Sequence, residues 1–142
     1  MTQAARDVLA LHRFIDSRQN TPHEWGRAAN DCVSFVLDAV KAQTGEARAS
    51  KLDWHDERSG LRVIKREGGL EAAFDRYFQR IPPALAHRGD IAGVPDPGLG
   101  IHPMIVEGET LVGPADRGNL RLPRRAMTIA WSAILPAPDT ER

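Results

Sequence analysis

An α+β fold follows from three observations on the 142-residue sequence. In the first half, apolar residues recur at helical spacing: Cys32, Phe35, Val36, Ala39 and Val40 stand at i, i+3, i+4, i+7 and i+8, one buried helix face. In the second half, short apolar runs are separated by Gly-, Pro- and Asp-containing turns, the mark of antiparallel strands. The change of period falls at Pro82-Pro83, which no helix crosses. Helices first and strands second predict a helical layer packed on a C-terminal antiparallel sheet. The Cys32 helix is expected at its centre. A chain of this length makes one domain with its own core. Residues 1–135 read as that domain, and the Pro- and charge-rich residues 136–142 as a disordered tail.

Each element has its reason. Residues 4–18 carry Val8, Leu11, His12 and Ile15 on one face, an amphipathic helix. Pro22 and Gly26 punctuate a polar loop over 19–30. Asn30 and Asp31 are good N-cap residues for the Cys32 helix, which runs to Thr44 and stops at Gly45. Residues 46–59 are polar loop with Trp54 as its anchor. Two short helices follow near 60–67 and 70–80, broken at Gly68-Gly69; Leu70, Phe74, Tyr77 and Phe78 share a face of the second. Arg88-Gly89-Asp90-Ile91 opens a strand, and 95–100 is a turn-rich connection. Strands are expected at 101–106, 110–113 and 119–122, with a last one over 127–135 carrying Trp131.

Composition narrows the function. Nineteen basic and nineteen acidic residues cancel, which argues against nucleic acid as a partner. One cysteine forms no internal disulfide and no cysteine-rich metal site. No histidine pair stands at i, i+4, so neither a metal nor any other cofactor is expected. No run approaches the roughly 20 apolar residues of a membrane span. The N-terminus, broken early by Arg6 and Asp7, lacks a signal-peptide core.

Two residues carry candidate chemistry. Cys32, in the first turn of its helix, lies near the positive end of the helix dipole, which favours a thiolate nucleophile. A lone cysteine on an apolar helix face is also read as a small buried hydrophobe, and both readings stay open. His102 opens the strand Ile101-His102-Pro103-Met104-Ile105-Val106, a rigid platform for a catalytic base, or else a solvent-facing strand histidine. His12, His55 and His87 lie on a helix, in a polar loop and before a turn. His23 is nearer the cysteine in sequence.

The order of these pieces resembles the NlpC-type cell-wall peptidases. His23-Glu24-Trp25-Gly26-Arg27, Asp31-Cys32-Val33-Ser34-Phe35-Val36, Arg88-Gly89-Asp90-Ile91 and His102-Pro103-Met104-Ile105-Val106-Glu107-Gly108 follow that superfamily's motif order. Trp25-Gly26-Arg27, Gly68-Gly69-Leu70 and Ala130-Trp131 bring the chain nearer to a compact phage-tail-associated branch. The resemblance implies a papain-like fold, with Cys32 as nucleophile and His102 as base. His23 replaces the tyrosine that helps hold the oxyanion. The residue that orients the base falls on Pro114, and Asp116, two positions on, is the nearest replacement. It implies a tail-tip protein, made in the host cytoplasm and carried in the virion tail, that cleaves peptidoglycan stem peptides. The alternative is a catalytically degenerate tail-hub module that keeps the fold for contacts with other tail proteins.

Overall fold

A computed structural model describes residues 6–138. Residues 1–5 and 139–142, which include the start of the expected first helix and most of the expected tail, lie outside it. The architecture is α+β: four α-helices precede or border one six-stranded antiparallel sheet. The helices are α1 (Val8–Ser17), α2 (Cys32–Thr44), α3 (Glu57–Arg66) and α4 (Leu70–Tyr77). The strands are β1 (Gln79–Ile81), β2 (Ile91–Asp96), β3 (Gly100–Val106), β4 (Thr110–Ala115), β5 (Gly118–Pro123) and β6 (Ile129–Ser132). Their order in the sheet is β1-β6-β2-β3-β4-β5.

α2 is the central helix, as its pattern predicts. Phe35, Val36, Ala39 and Val40 have no exposed surface at all. Each large side chain so buried contributes about 1.5–3 kcal/mol. Its N-cap is Asp31 and its C-cap Gly45, at φ 77°, a left-handed turn that glycine adopts without strain. α2 packs on the sheet face that carries Ile91, Ile105, Val112 and Trp131. Leu11 and Ile15 of α1 and Phe74 of α4 join the same core. The opposite face carries a smaller cluster, with Ala92, Met104, Val106, Leu111 and Ala130 covered by Ala86 and Met127.

Several elements depart from the expected boundaries. α3, expected near 60–67 after a polar loop over 46–59, already begins at Glu57, where Asp56 caps it. The chain expected to extend the fourth helix to residue 80 leaves it after Tyr77. Gln79–Ile81 pair instead with Ser132, Trp131 and Ala130 of β6. Pro95 lies in β2, opposite Ile101, near the hairpin end. The last strand is shorter than the expected 127–135, because Arg124–Ala126 form a 3-10 turn and the chain leaves the sheet after Ser132.

Two buried carboxylates knit these parts together. Asp90 accepts from Arg6 Nη2 at 2.7 Å, His87 N at 2.8 Å and Ala133 N at 3.0 Å. It thereby joins the chain before α1, the entry to β2 and the exit from β6. Asp31 plays the equivalent part at the start of α2.

Candidate functional site

The site is built around the entry to α2. Asp31 is 1% exposed, and its carboxylate accepts three hydrogen bonds. Ser34 N donates at 2.8 Å, which is the helix cap; Gly26 N donates at 2.9 Å; Trp54 Nε1 donates at 2.7 Å. Ser34 Oγ donates back to Gly26 O at 3.0 Å. Asn30 and Glu24 exchange backbone bonds, and the Asn30 amide donates to Thr21 O and Pro22 O. Arg27 donates to Trp54 O from its backbone and pairs with Asp38 of α2 at 2.9 Å. The Trp25-Gly26-Arg27 segment is thus tied to α2 and to the Trp54 loop at several points.

Cys32 is the first residue of α2 and is 4% exposed. Burial, then the charge of Asp31 beside it, push the thiol up to about 12; the N–H groups of Val33 and Cys32 oppose this only in part. The helix terminus therefore acts in the expected direction and is outweighed. At neutral pH the thiol is therefore held in its protonated form. The thiol borders an apolar hollow of about 50 Å³ between α2, α3 and α4, lined by Trp25, Trp54, Val63, Leu70 and Phe74 among others.

His102 is half-buried on β3, directly across from Val94 on β2. Strand alternation puts it on the face of Met104 and Ala92, opposite the face whose Ile101 and Ile105 share the core with α2. Its Nε2 is enclosed and has no hydrogen-bond partner among the described residues. A Cβ placed on Gly113 of β4 would lie 3.8 Å from that nitrogen and 3.5 Å from Met104 Cγ. The strand beside His102 therefore presents no side chain there to orient the ring. Burial lowers the His102 pKa, the charge of Asp96 opposes it, and His23 adds to the lowering.

The remaining expected residues, His23 and Asp116, lie in the loop before α2 and in the β4–β5 turn. His23 donates its backbone N–H to Ala115 O at 2.8 Å, and its ring meets Trp25 edge-on at 5.8 Å. Asp116 is exposed in the turn between β4 and β5. The charges that act on His102 come instead from Asp96 and His23. Asp96 was no sequence candidate. Its Oδ2 accepts from Gly98 N and Leu99 N, closing the β2–β3 turn, and its charge acts on both Cys32 and His102. Asp-Pro-Gly is legible as a turn; that the turn delivers a carboxylate toward both residues depends on the tertiary fold.

Cys32 thus stands at the start of α2, while His102 and Asp96 stand on β3 and at the β2–β3 turn. What links them is the charge of Asp96, which acts on both the thiol and the imidazole. Among the described residues no hydrogen bond joins Cys32 to His102. The nucleophile–base link that starts thiol chemistry is not made in this conformation.

One family matches over residues 6–133, described as a domain of unknown function, DUF6950. The chain belongs to the DUF6950 family. The DUF6950 match runs from the residue that binds Asp90 to the residue after β6, so it takes in every helix and strand named above. The Asp31 and Asp90 clusters both lie inside it. No curated protein matches the chain.

Proposed function

We propose that this DUF6950 chain is an NlpC-like, papain-like module of a phage or phage-derived tail tip in which the fold serves protein–protein contact rather than peptide hydrolysis. The tail context rests on the motif resemblance to the tail-associated branch: Trp25-Gly26-Arg27 with Asp31-Cys32, Gly68-Gly69-Leu70 and Ala130-Trp131, in that order. One observation carries the contact reading. The motif residues with scaffold roles are all engaged: Asp31 with three donors, Asp90 with three, Arg27 with Asp38, and Trp131 Nε1 with Asp75 at 2.9 Å. The two residues with chemical roles are not engaged with each other. Cys32 is protonated and buried, and among the described residues the ring of His102 lacks a partner at Nε2. This is the pattern of a site whose scaffold bonds are made while its nucleophile–base link is not.

The peptidase reading has one observation in its favour: Asp96 acts electrostatically on both Cys32 and His102, and catalytic hydrogen bonds often tighten only around a substrate. Cys32 would attack the carbonyl carbon of a stem-peptide bond after giving its proton to His102. His102 would then deliver that proton to the leaving amine, and water would hydrolyse the thioester. His23 would stand on the oxyanion side.

Two assays separate these readings. On purified sacculi, the protein is expected to release no stem peptides that depend on Cys32. In a prophage encoding this chain, Cys32→Ala is expected to leave infectious tails intact, whereas deleting the gene removes them. Release that Cys32→Ala abolishes would establish the peptidase. Normal tails after gene deletion would end the tail reading.

A further inference from the structure

The exposed face of α3 gathers positive charge. Arg58, Arg62 and Arg66 follow at i, i+4 and i+8, with Lys65 beside the row, and all four are exposed. With 3.6 residues per turn and a 1.5 Å rise, they form a stripe about 100° wide and about 12 Å long. Gly60 and Val63 hold the other side of the helix in the core. Like charges at i, i+4 destabilise a helix, and α3 stacks two such pairs in one row.

Some surface arginines elsewhere are neutralised internally. Arg13, Arg88, Arg117 and Arg125, also exposed, are in no ion pair among the described residues but do not line up in one row as the α3 cations do. Arg27 pairs with Asp38, Arg80 with Glu71 and Asp75, and Arg121 with Glu107. Among the described residues, none of the four cations on α3 is in an ion pair. The N-cap Asp56 feels Arg62, but Asp56 is held low mainly by its bonds to Ser59. The whole chain has no net charge, so the stripe is a local segregation of charge. It is maintained at some expense to the helix that carries it.

We propose that this face of α3 is a docking surface for an acidic helical segment of a partner protein. Such a helix repeats its carboxylates at the same i, i+4 interval, about 6 Å, and so matches the Arg58–Arg62–Arg66 row charge for charge. Leu61, 41% exposed on the flank of the stripe, supplies an apolar contact alongside. Single-stranded nucleic acid fits less well, because α3 carries no aromatic residue on which a base could stack. A membrane surface fits less well, because one exposed leucine is not an apolar face. The surface does not depend on the chemistry at Cys32 and stands whether or not the chain works in a tail.

The test uses the full chain and a fluorescein-labelled amphipathic peptide with glutamates at i, i+4 flanked by leucines, followed by anisotropy across a salt titration. Binding is expected to weaken steadily with salt. The triple variant Arg58→Gln, Arg62→Gln, Arg66→Gln is expected to bind at least about tenfold more weakly. Its melting temperature should stay within a few degrees of the wild type, because the relief of like charges offsets the loss of Arg66 at the helix C-terminus and of Arg62 near Asp56. The matching triple lysine variant, which keeps the charge, should retain binding. The proposal is overturned if the wild type does not bind the peptide, or if binding ignores salt or the glutamine triple. It is equally overturned if oligo-dT or anionic vesicles are bound more tightly than the peptide.

Discussion

At the start of α2, three N–H donors converge on the Asp31 carboxylate in a site that is 1% exposed. Removing the acceptor strands all three in the core, and each buried donor without a partner costs about 1–3 kcal/mol. Asp31→Ala is therefore expected to destabilise by about 3 kcal/mol or more in denaturant unfolding, as a change in midpoint at constant slope. Trp54→Phe, which removes one of the three donors and keeps the ring, should lose distinctly less. Equal losses would mean that the carboxylate is not the hub. His102 makes a prediction of the opposite kind. Burial lowers its pKa below the ordinary 6.5, so the unfolded chain takes up the proton first as the pH falls. Its effect on stability is absent above about pH 6.5 and becomes destabilising below it. The wild type should lose stability through the acid side of that value, and His102→Gln should flatten this part of the profile. An unchanged profile would show that the ring is as free to ionise folded as unfolded.

Among the elements, the β4–β5 hairpin owes its position to one glycine. Gly118 has φ 129°, and a Cβ there would stand 2.2 Å from Gln19 O and 3.0 Å from Asn20 Cα. These are backbone atoms, so no side-chain rotation relieves the clash. The loop after α1 is meanwhile held to this hairpin by Asn119 N on Gln19 O at 3.1 Å and by the Asn119 amide on Ile15 O at 2.9 Å. Gly118→Ala combines left-handed strain with the loss of that docking, and a cost of about 2–4 kcal/mol is expected. Amide exchange should rise over residues 15–23 as well as at the hairpin. A loss below about 0.5 kcal/mol, with exchange unchanged, would mean that the loop is not held there.

Across the whole molecule, what the sequence reveals depends on the range of the interaction. α2 and both its caps are legible because helix period, Asp31 and Gly45 act within a few residues. The strands from β2 to β5 are legible because their turns are local. β1 is not, since Gln79–Ile81 acquire strand pairing only from β6, some 50 residues later. The residue types at the candidate site are equally legible: a cysteine at a helix start and a histidine on a strand are where the reading expects them. Their relation is not. Whether His102 faces α2 is set by the β2–β3 register, Val94 against His102, and whether Cys32 is ionised is set by how deeply α2 is buried. Neither leaves a mark on local sequence, and Asp96 enters the site only through the same tertiary contacts.

The central claim, that the fold is kept while the thiol chemistry is idle, reduces to the state of Cys32. The most direct measurement is the rate of iodoacetamide alkylation against pH, for the native protein and for the chain in denaturant. The native thiol should react orders of magnitude more slowly at neutral pH and show no plateau below the alkaline range, consistent with a pKa of about 12. His102→Ala should leave that curve where it is. Rapid alkylation of the native protein at mildly acidic pH, lost on His102→Ala, would contradict the account and restore Cys32 and His102 as a working pair.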